Sequence, residues 1–531
     1  MTHLPRFRLH RLLFLLTAGA GLNAIAAAAE SAPANVLFIA IDDLNDWVGF
    51  LRGHPQAKTP NMDRLAARGV AFANAHCAAP LCCPSRAAIF SGRHPFNSGV
   101  YGNSDDIARI APELVLLPQQ LKAHGYRTYG TGKLLHQKRP DIFDDFFAPE
   151  QRWSPFSTSQ EVAYTPAELP SKATDNPRHL VHLGPGRAPV SLPLNRMPSD
   201  RRPDDPAAES FDWGGIDVPD SAMGDTQIVD WAIKHLQEKR PEPFFLGVGF
   251  YRPHIPLWVP AKYLEPFPVK SVQLPAYLKN DLNDLGPIGR RIALEPATAG
   301  SHASVVKYKQ WEAAVAAYLA CIYYVDTQIG RLLEALEATP HARDTLIVIW
   351  GDHGWHLGEK DHWGKSTGWE RATKVPLLVV PPPAVSRGLA MGQTSRTPVS
   401  LLDLYPTVLE FAHAAPPAAG LDGQSLMPLL RDPQRASDRS VITTFQREHF
   451  SVGDDRWRYI RYGDGSEELY DHRADPNEWT NIAAKPEHAA VKARLAALIP
   501  INPKPEPAPK PAKSGKERKS GVKSKRASDD N

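Results

Sequence analysis

Four long apolar runs organise the chain: Asn35–Ile41, Phe244–Phe250, Thr345–Trp350 and Val375–Val380. They lack polar alternation and are rich in β-branched and aromatic side chains, which predicts strands buried on both faces of a mostly parallel sheet. Val70–Ala75 and Tyr126–Tyr129 read as further short strands. Between the runs, apolar residues recur at helical spacing. That predicts an amphipathic helix over Asp225–Gln237 and a core helix over Trp311–Leu336, in which Asp326 is a structural polar contact. Thr59–Ala66 and Leu117–Gly125 carry a proline in their first turn and end near a glycine, so both read as short helices. Val399–Ala412 reads as another helix. After Ser440 the pattern alternates over Val441–Phe445, Arg456–Tyr462 and Glu468–Tyr470, which predicts a small antiparallel sheet closed by a helix near Glu487–Leu498. Residues Pro149–Pro219 have little periodicity and read as a long surface insertion. The expected fold is α/β, a doubly wound mostly parallel sheet with a smaller C-terminal antiparallel-sheet α+β subdomain.

Both ends of the chain differ from this middle. Arg6, Arg8 and Arg11 precede an apolar core at Leu12–Ala20, and small residues follow at Ala24–Ala29. This is the pattern of a signal peptide over residues 1–29 cleaved near Ala29 or Glu30, with an uncleaved anchor as the alternative. It predicts an exported protein, periplasmic or secreted. Residues 502–531 are rich in Lys, Pro and Ser and read as a disordered basic tail, either simply solvated or holding the protein near an acidic polysaccharide. That leaves a large domain over 30–438 and a small one over 439–501. The formal net charge of +3 gives no sign of a nucleic-acid partner, and 4 cysteines are too few for a disulfide framework.

The chemistry concentrates in Leu81–Arg93, which contains Cys82-Cys83-Pro84-Ser85-Arg86. Pro84 fixes the backbone where a helix starts, and a helix N-terminus favours an anion. Arg86 adds a planar fork suited to a tetrahedral oxyanion, so Cys82 reads as a nucleophile aimed at a sulfate- or phosphate-like group. Cys77, Cys82 and Cys83 could instead bind a metal or cluster, or include a disulfide. Cys321 lies in a helical run, so a four-cysteine site is poorly supplied. Asp42-Asp43 ends the first strand, where paired acids either cap a turn or surround a positive charge. Gly130–His136 could cradle a phosphate, although full P-loop spacing is absent. His254 stands between Pro253 and Pro256, and Asp352-His353 follows the third long strand. His356 and His362 are further imidazoles nearby that either touch substrate or, the favoured reading, are loop residues.

Cys82-x-Pro84-Ser85-Arg86 followed by Ser91-Gly92-Arg93 resembles the signature of type I sulfatases. Arg252-Pro253-His254-Ile255-Pro256 resembles the iduronate 2-sulfatase branch. The resemblance implies an alkaline-phosphatase-like fold, with Cys82 oxidised to formylglycine (3-oxoalanine) by the formylglycine-generating enzyme before export. A thiolate attacking sulfur would stall at a stable thiosulfate. An aldehyde hydrate attacks with one hydroxyl and releases sulfate by deprotonating the other. It also implies calcium at Asp42, Asp43, Asp352 and His353 together with the modified Cys82, although a histidine nitrogen is an awkward calcium ligand and leaves the metal open. Arg86, Lys133 and Lys365 would hold the sulfate, His136 would act on the formylglycine hydroxyl, and His254 would protonate the leaving alcohol. The substrate implied is a sulfated sugar or polysaccharide, with a 2-O-sulfated uronate as the specific expectation. The insertion would wall its pocket, and Trp258, Lys262 and Tyr263 would line the entrance. Two rivals remain: a phosphate or phosphonate ester hydrolase of the same superfamily, and a non-catalytic sulfated-glycan binding protein.

Overall fold

The computed structural model describes residues 1, 32–155, 162–163, 179–181, 190–198, 200, 210–296 and 299–506. The signal-peptide reading and the tail beyond residue 506 lie outside the described residues, as does much of the insertion. Among the described residues, no helix is long and apolar enough to cross a membrane.

The central sheet has eight strands: β1 (Asn35–Ile41), β2 (Val70–Phe72), β3 (Arg127–Gly132), β4 (Asp145–Phe147), β5 (Phe244–Phe250), β6 (Thr345–Gly351), β7 (Leu377–Val380) and β8 (Gln393–Ser395). Their order is β8-β2-β7-β6-β1-β5-β3-β4. All run parallel except β7, which pairs antiparallel with β6 and β2. The strands at the centre are buried along their whole length, as their unbroken apolar sequence predicts.

Alternate residues of β1 face opposite layers. Leu37, Ile39 and Ile41 pack with the helices α3 (Gly224–Gln237) and α4 (Trp311–Glu337). Val36, Phe38 and Ala40 pack with α1 (Cys82–Ser91), α2 (Leu117–Ala123) and α5 (Leu404–Phe411). Helices on both faces make the sheet doubly wound. In α4, Asp326 accepts N–H bonds from Asn61 (3.1 Å) and Met62 (2.9 Å), the structural contact expected of it. A second sheet follows near the C-terminus, fully antiparallel: Val441–Thr444, Phe450–Gly453, Trp457–Arg461 and Glu467–Asp471. The helix Ala489–Ala496 packs on it.

Some expectations need correction. Val399–Ala412 is not one helix. Val399–Ser400 pairs with Ala75–His76, a one-turn 3-10 helix follows at Leu401–Asp403, and only Leu404–Phe411 is α-helical. Strand pairing at Val399–Ser400 overrides local helical periodicity. The strand Phe450–Gly453 was not expected, because four residues ending in glycine make too short a signal. In the insertion, short strands appear at His179–Val181 and Val190–Leu192, and Trp213–Ile216 pairs with Leu257–Pro260. Gly130–Gly132 continues β3 and is not loop.

The end of β3 is packed hard against β5. Gly132 takes a left-handed φ of 71°, and a Cβ there would lie 2.1 Å from the Gly249 carbonyl. A Cβ on Gly249 would lie 2.1 Å from the Lys133 carbonyl. The two glycines let β3 and β5 close tightly where Lys133 leaves the sheet, and the Lys133 N–H donates to Gly249 O at 2.8 Å. Gly249→Ala should therefore cost about 1–3 kcal/mol of stability through overpacking. Denaturant unfolding of the variant against wild type measures it; an unchanged midpoint would contradict the close approach.

Candidate active site

The carboxyl ends of β6, β1, β5 and β3 lie side by side, and each delivers a polar residue to one buried crevice. Asp42 and Asp43 follow β1, Asp352 and His353 follow β6, and Lys133 follows β3. His254 lies four residues beyond β5. Helix α1 enters from the side with Cys82 as its first residue. The helix starts two residues before Pro84, so Cys82 itself sits where the backbone N–H groups are free. Ser85 Oγ donates to Asp352 O at 2.6 Å and ties this helix end to the end of β6.

Three carboxylates meet three cations here. Arg86 Nη2 donates to Asp42 Oδ1 at 3.0 Å and Arg86 Nε to Asp352 Oδ2 at 2.8 Å, with all three side chains fully buried. Arg86 Nη1 also donates to the Lys133 carbonyl. Lys133 Nζ donates to Asp42 Oδ2 at 2.6 Å. Lys365 Nζ donates to Asp43 Oδ1 at 2.7 Å and to Cys82 Sγ at 2.9 Å. Burial alone would raise the Asp42 pKa, but Lys133 and Arg86 hold the carboxyl well below the usual range. Asp352 is pushed up to about 6 because burial outweighs its partners Arg86 and His353.

Cys82 Sγ lies 3.3 Å from His353 Nε2 and 3.9 Å from Asp43 Oδ1. His136 also acts to lower the pKa of the same thiol. Burial raises the Cys82 pKa, yet Lys133, Lys365 and His353 together drive it well below the ordinary thiol value. The other cysteines move the opposite way: burial pushes Cys83 and Cys321 up to about 12 and also raises Cys77. All four are unpaired, and Cys83 donates to Asp105 O at 3.1 Å. The cysteine-cluster and disulfide alternatives are therefore not what the chain builds. Of its thiols, only Cys82 is electrostatically activated.

The backbone is also unusual here. Asp43 has a φ of 58°, held by its N–H donating to Asp352 Oδ1 at 3.0 Å and its carbonyl accepting from Tyr318 Oη at 2.7 Å. Left-handed non-glycine residues held this way cluster at functional sites. Asp43 Oδ2 is buried without a hydrogen-bond partner. Ligand atoms of Asp42, Cys82, Asp352 and His353 (carboxylate oxygens, the Cys82 sulfur and an imidazole nitrogen) lie within 4.8 Å of one another, as do those of Asp42, Asp43, Cys82 and His254. An orphaned carboxylate oxygen among buried Asp and His donors fits a divalent ion.

The remaining expected residues divide. His254 reaches the site: its Nε2 lies 3.8 Å from Asp43 Oδ2 and its Nδ1 lies 2.6 Å from Ile255 O. His356 and His362 are buried and spent on structure, His356 on Thr367 Oγ1 (2.9 Å) and His362 on the Ala293 and Lys365 carbonyls (both 3.0 Å). The aromatic rings of Trp258 and Tyr263 are buried and do not line an entrance, while Lys262 is exposed. Trp258 is buried with its Nε1 on Asp212 at 3.0 Å, and Lys262 and Tyr263 both bond Asp220. Pairing of Leu257–Pro260 with Trp213–Ile216 accounts for the burial of Trp258. Sequence reasoning missed Tyr318, which looks like an ordinary core residue of α4. It also missed Trp153, whose stretch has no period to read.

These strand ends place an activated thiol among paired carboxylates and cations on a doubly wound sheet whose fold is alkaline-phosphatase-like. Residues 34–414 match the sulfatase family model, and residues 358–501 match that of the N-sulphoglucosamine sulphohydrolase C-terminal region. The chain is 37% identical over 473 residues to a sulfatase of Formosa agariphila, covering 88% of this chain and 86% of that one. It is 27% identical over 468 residues to the iduronate 2-sulfatase of Homo sapiens, covering 82% and 76%. Among solved structures, one in complex with its substrate D-glucosamine-2-N,6-O-disulfate is similar with a TM-score of 0.64 at 21% identity, covering 88% of this chain and 96% of that one. The phosphonate monoester hydrolase of Agrobacterium radiobacter is similar with a TM-score of 0.70 at 21% identity, covering 87% and 94%. At that identity the two structures speak for the fold. The protein belongs to the sulfatase family.

The His353 imidazole gives this site a testable signature. Burial lowers its pKa, but Asp352 and the Cys82 sulfur more than compensate and raise it to about 9. Below that pH the metal-free ring carries a proton that a ligand role must expel. A divalent ion titrated into metal-free protein should therefore release protons, and affinity should rise with pH up to about 9. Calorimetry in buffers of different ionisation heat measures both; pH-independent binding without proton release would exclude His353 as a ligand.

Proposed function

We propose that the protein is an exported sulfatase that hydrolyses sulfate esters of a sulfated saccharide, using Cys82 converted to formylglycine by the formylglycine-generating enzyme. The observation that carries this reading is the surroundings of Cys82: a helix N-terminus, Lys365 at 2.9 Å and His353 at 3.3 Å, with Lys133 and Arg86 behind. These groups suit a nucleophile that meets a tetrahedral anionic group. The Arg-rich, apolar N-terminus supports export. We divide the chain into a leader at 1–29, a catalytic domain at 30–438, a C-terminal subdomain at 439–501 and a tail at 502–531.

Formylglycine, when present, supplies a hydrated aldehyde whose hydroxyl attacks sulfur. A divalent ion, calcium in this reading, would be held by Asp42, Asp43, Asp352 and His353 with the modified side chain of residue 82, and would supply positive charge beside the sulfate oxygens. The other roles fall to the chain's own residues. Lys133, Lys365 and Arg86 bind and stabilise the charge that develops on the transferring group. His254 presents Nε2 on the leaving-group side and gives its proton to the departing alcohol oxygen. His136, whose Nδ1 is buried without a hydrogen-bond partner among the described residues, takes a hydroxyl proton when sulfate leaves. The similarity to iduronate 2-sulfatase and the fold shared with a 2-O glycosaminoglycan sulfatase motivate a 2-O-sulfated uronate as the first substrate to try.

The test is kinetic. Formylglycine-bearing protein should hydrolyse para-nitrophenyl sulfate far faster than para-nitrophenyl phosphate, and Cys82→Ala should abolish turnover. Equal or faster phosphate hydrolysis would favour a phosphate or phosphonate ester hydrolase, and saccharide binding without turnover would favour a binding protein. Lys133→Ala should lower kcat by about 100-fold or more, the usual effect of deleting one preorganised charge donor. A loss under about 5-fold would remove Lys133 from the transition state.

A further inference from the structure

The insertion sends one residue onto the site that none of these roles uses. The indole of Trp153 packs against the His254 imidazole, with ring centroids 4.5 Å apart and planes at 43°. Lys133 Nζ lies 4.8 Å from the centroid of the same ring. Tyr251 meets it edge-on at 5.2 Å. The Trp153 carbonyl accepts from Arg252 Nη2 at 2.9 Å, which ties its backbone to the segment that carries His254. Its indole N–H is buried without a partner among the described residues. An orphan donor of this kind is costly and is relieved when a polar ligand arrives.

His254 needs such a wall. Its Nδ1 is engaged by the Ile255 carbonyl at 2.6 Å, but Nε2 has only the distant Asp43 Oδ2 at 3.8 Å. One hydrogen bond leaves the ring free to swing, and the aromatic face removes that freedom. The Lys133 ammonium near the same ring gains electrostatic stabilisation as well.

We propose that Trp153 is the positioning residue for His254, holding Nε2 toward the leaving oxygen while its face seats the Lys133 ammonium. The inference rests on the reading of His254 as the leaving-group acid. In that step the attacking hydroxyl forms a new S–O bond and gives its proton to the Asp43 carboxylate, whose Oδ1 lies 3.9 Å from Cys82 Sγ, and the S–O bond to the alcohol breaks. The electron pair stays on the alcohol oxygen, which takes the proton from His254 Nε2. A basic leaving oxygen needs that proton, and a nitrophenolate does not. The contribution of Trp153 must therefore grow with the basicity of the leaving group.

The experiment compares formylglycine-bearing wild type, Trp153→Phe and Trp153→Leu on para-nitrophenyl, phenyl and para-methoxyphenyl sulfate. Trp153→Leu should lose about 3-fold in kcat on the nitrophenyl ester and about 100-fold on the methoxyphenyl ester, the scale of general acid catalysis. Trp153→Phe, which keeps the aromatic wall, should stay within about 3-fold of wild type throughout. A merely structural residue would lower all three rates by one factor, and that result overturns the proposal. Trp153→Met, which fills the space without a π face, takes the place of the leucine variant if that does not fold. A formylglycine-bearing wild type that turns over no sulfate ester overturns the functional reading instead.

Discussion

The structure depends on neutralising three carboxylates, Asp42, Asp43 and Asp352, that are entirely out of water. Burying a charge costs several kcal/mol even after the protein relaxes, and removing one member of a buried pair typically costs about 3–5 kcal/mol. Arg86, Lys133 and Lys365 each meet at least one of the three. A fold that needed only stability would fill this crevice with apolar side chains. The charges that assemble the strand ends are also the groups that a transferring sulfate group would need.

Each charge is held from behind. Gly132 and Gly249 let the chain of Lys133 lie flat on β5. Tyr318, from the middle of α4, supports the strained backbone of Asp43. The segment bearing Lys365 is braced by the C-terminal sheet. Ser451 Oγ donates to Gly368 O at 2.7 Å, Arg458 Nε pairs with Glu478 at 3.0 Å, and Arg458 also pairs with Glu370. Lys360, five residues before Lys365, is buried between Asp281 and the Glu478 carbonyl. Part of the C-terminal region thus sets one wall of the site.

Where a segment's local pattern and its tertiary surroundings agree, the sequence was readable. β1, β5, β6 and α4 stand close to their expected bounds because long uniform apolar runs have one good solution in a sheet covered on both faces. The site residues Asp42, Asp43, Asp352 and His353 were legible for the same reason, since they sit where those runs stop. Val399–Ser400 and Phe450–Gly453 were not legible, because their strand character comes from partners far along the chain. Trp258 and Tyr263 misled through their aromatic character; only the strand pairing of Leu257–Pro260 and the bond from Tyr263 to Asp220 reveal that they face inward. Trp153 gave no signal at all, since its position depends on how an aperiodic insertion folds back over His254.

The central claim is that Cys82 is converted to an aldehyde and not used as a thiol. The most direct measurement is the mass of the tryptic peptide containing Cys82, from protein made in a host with the modifying enzyme. The account predicts loss of the sulfur and gain of an aldehyde oxygen at this cysteine, with Cys83 beside it unchanged. An intact thiol at Cys82 in protein that nevertheless hydrolyses sulfate esters would contradict it.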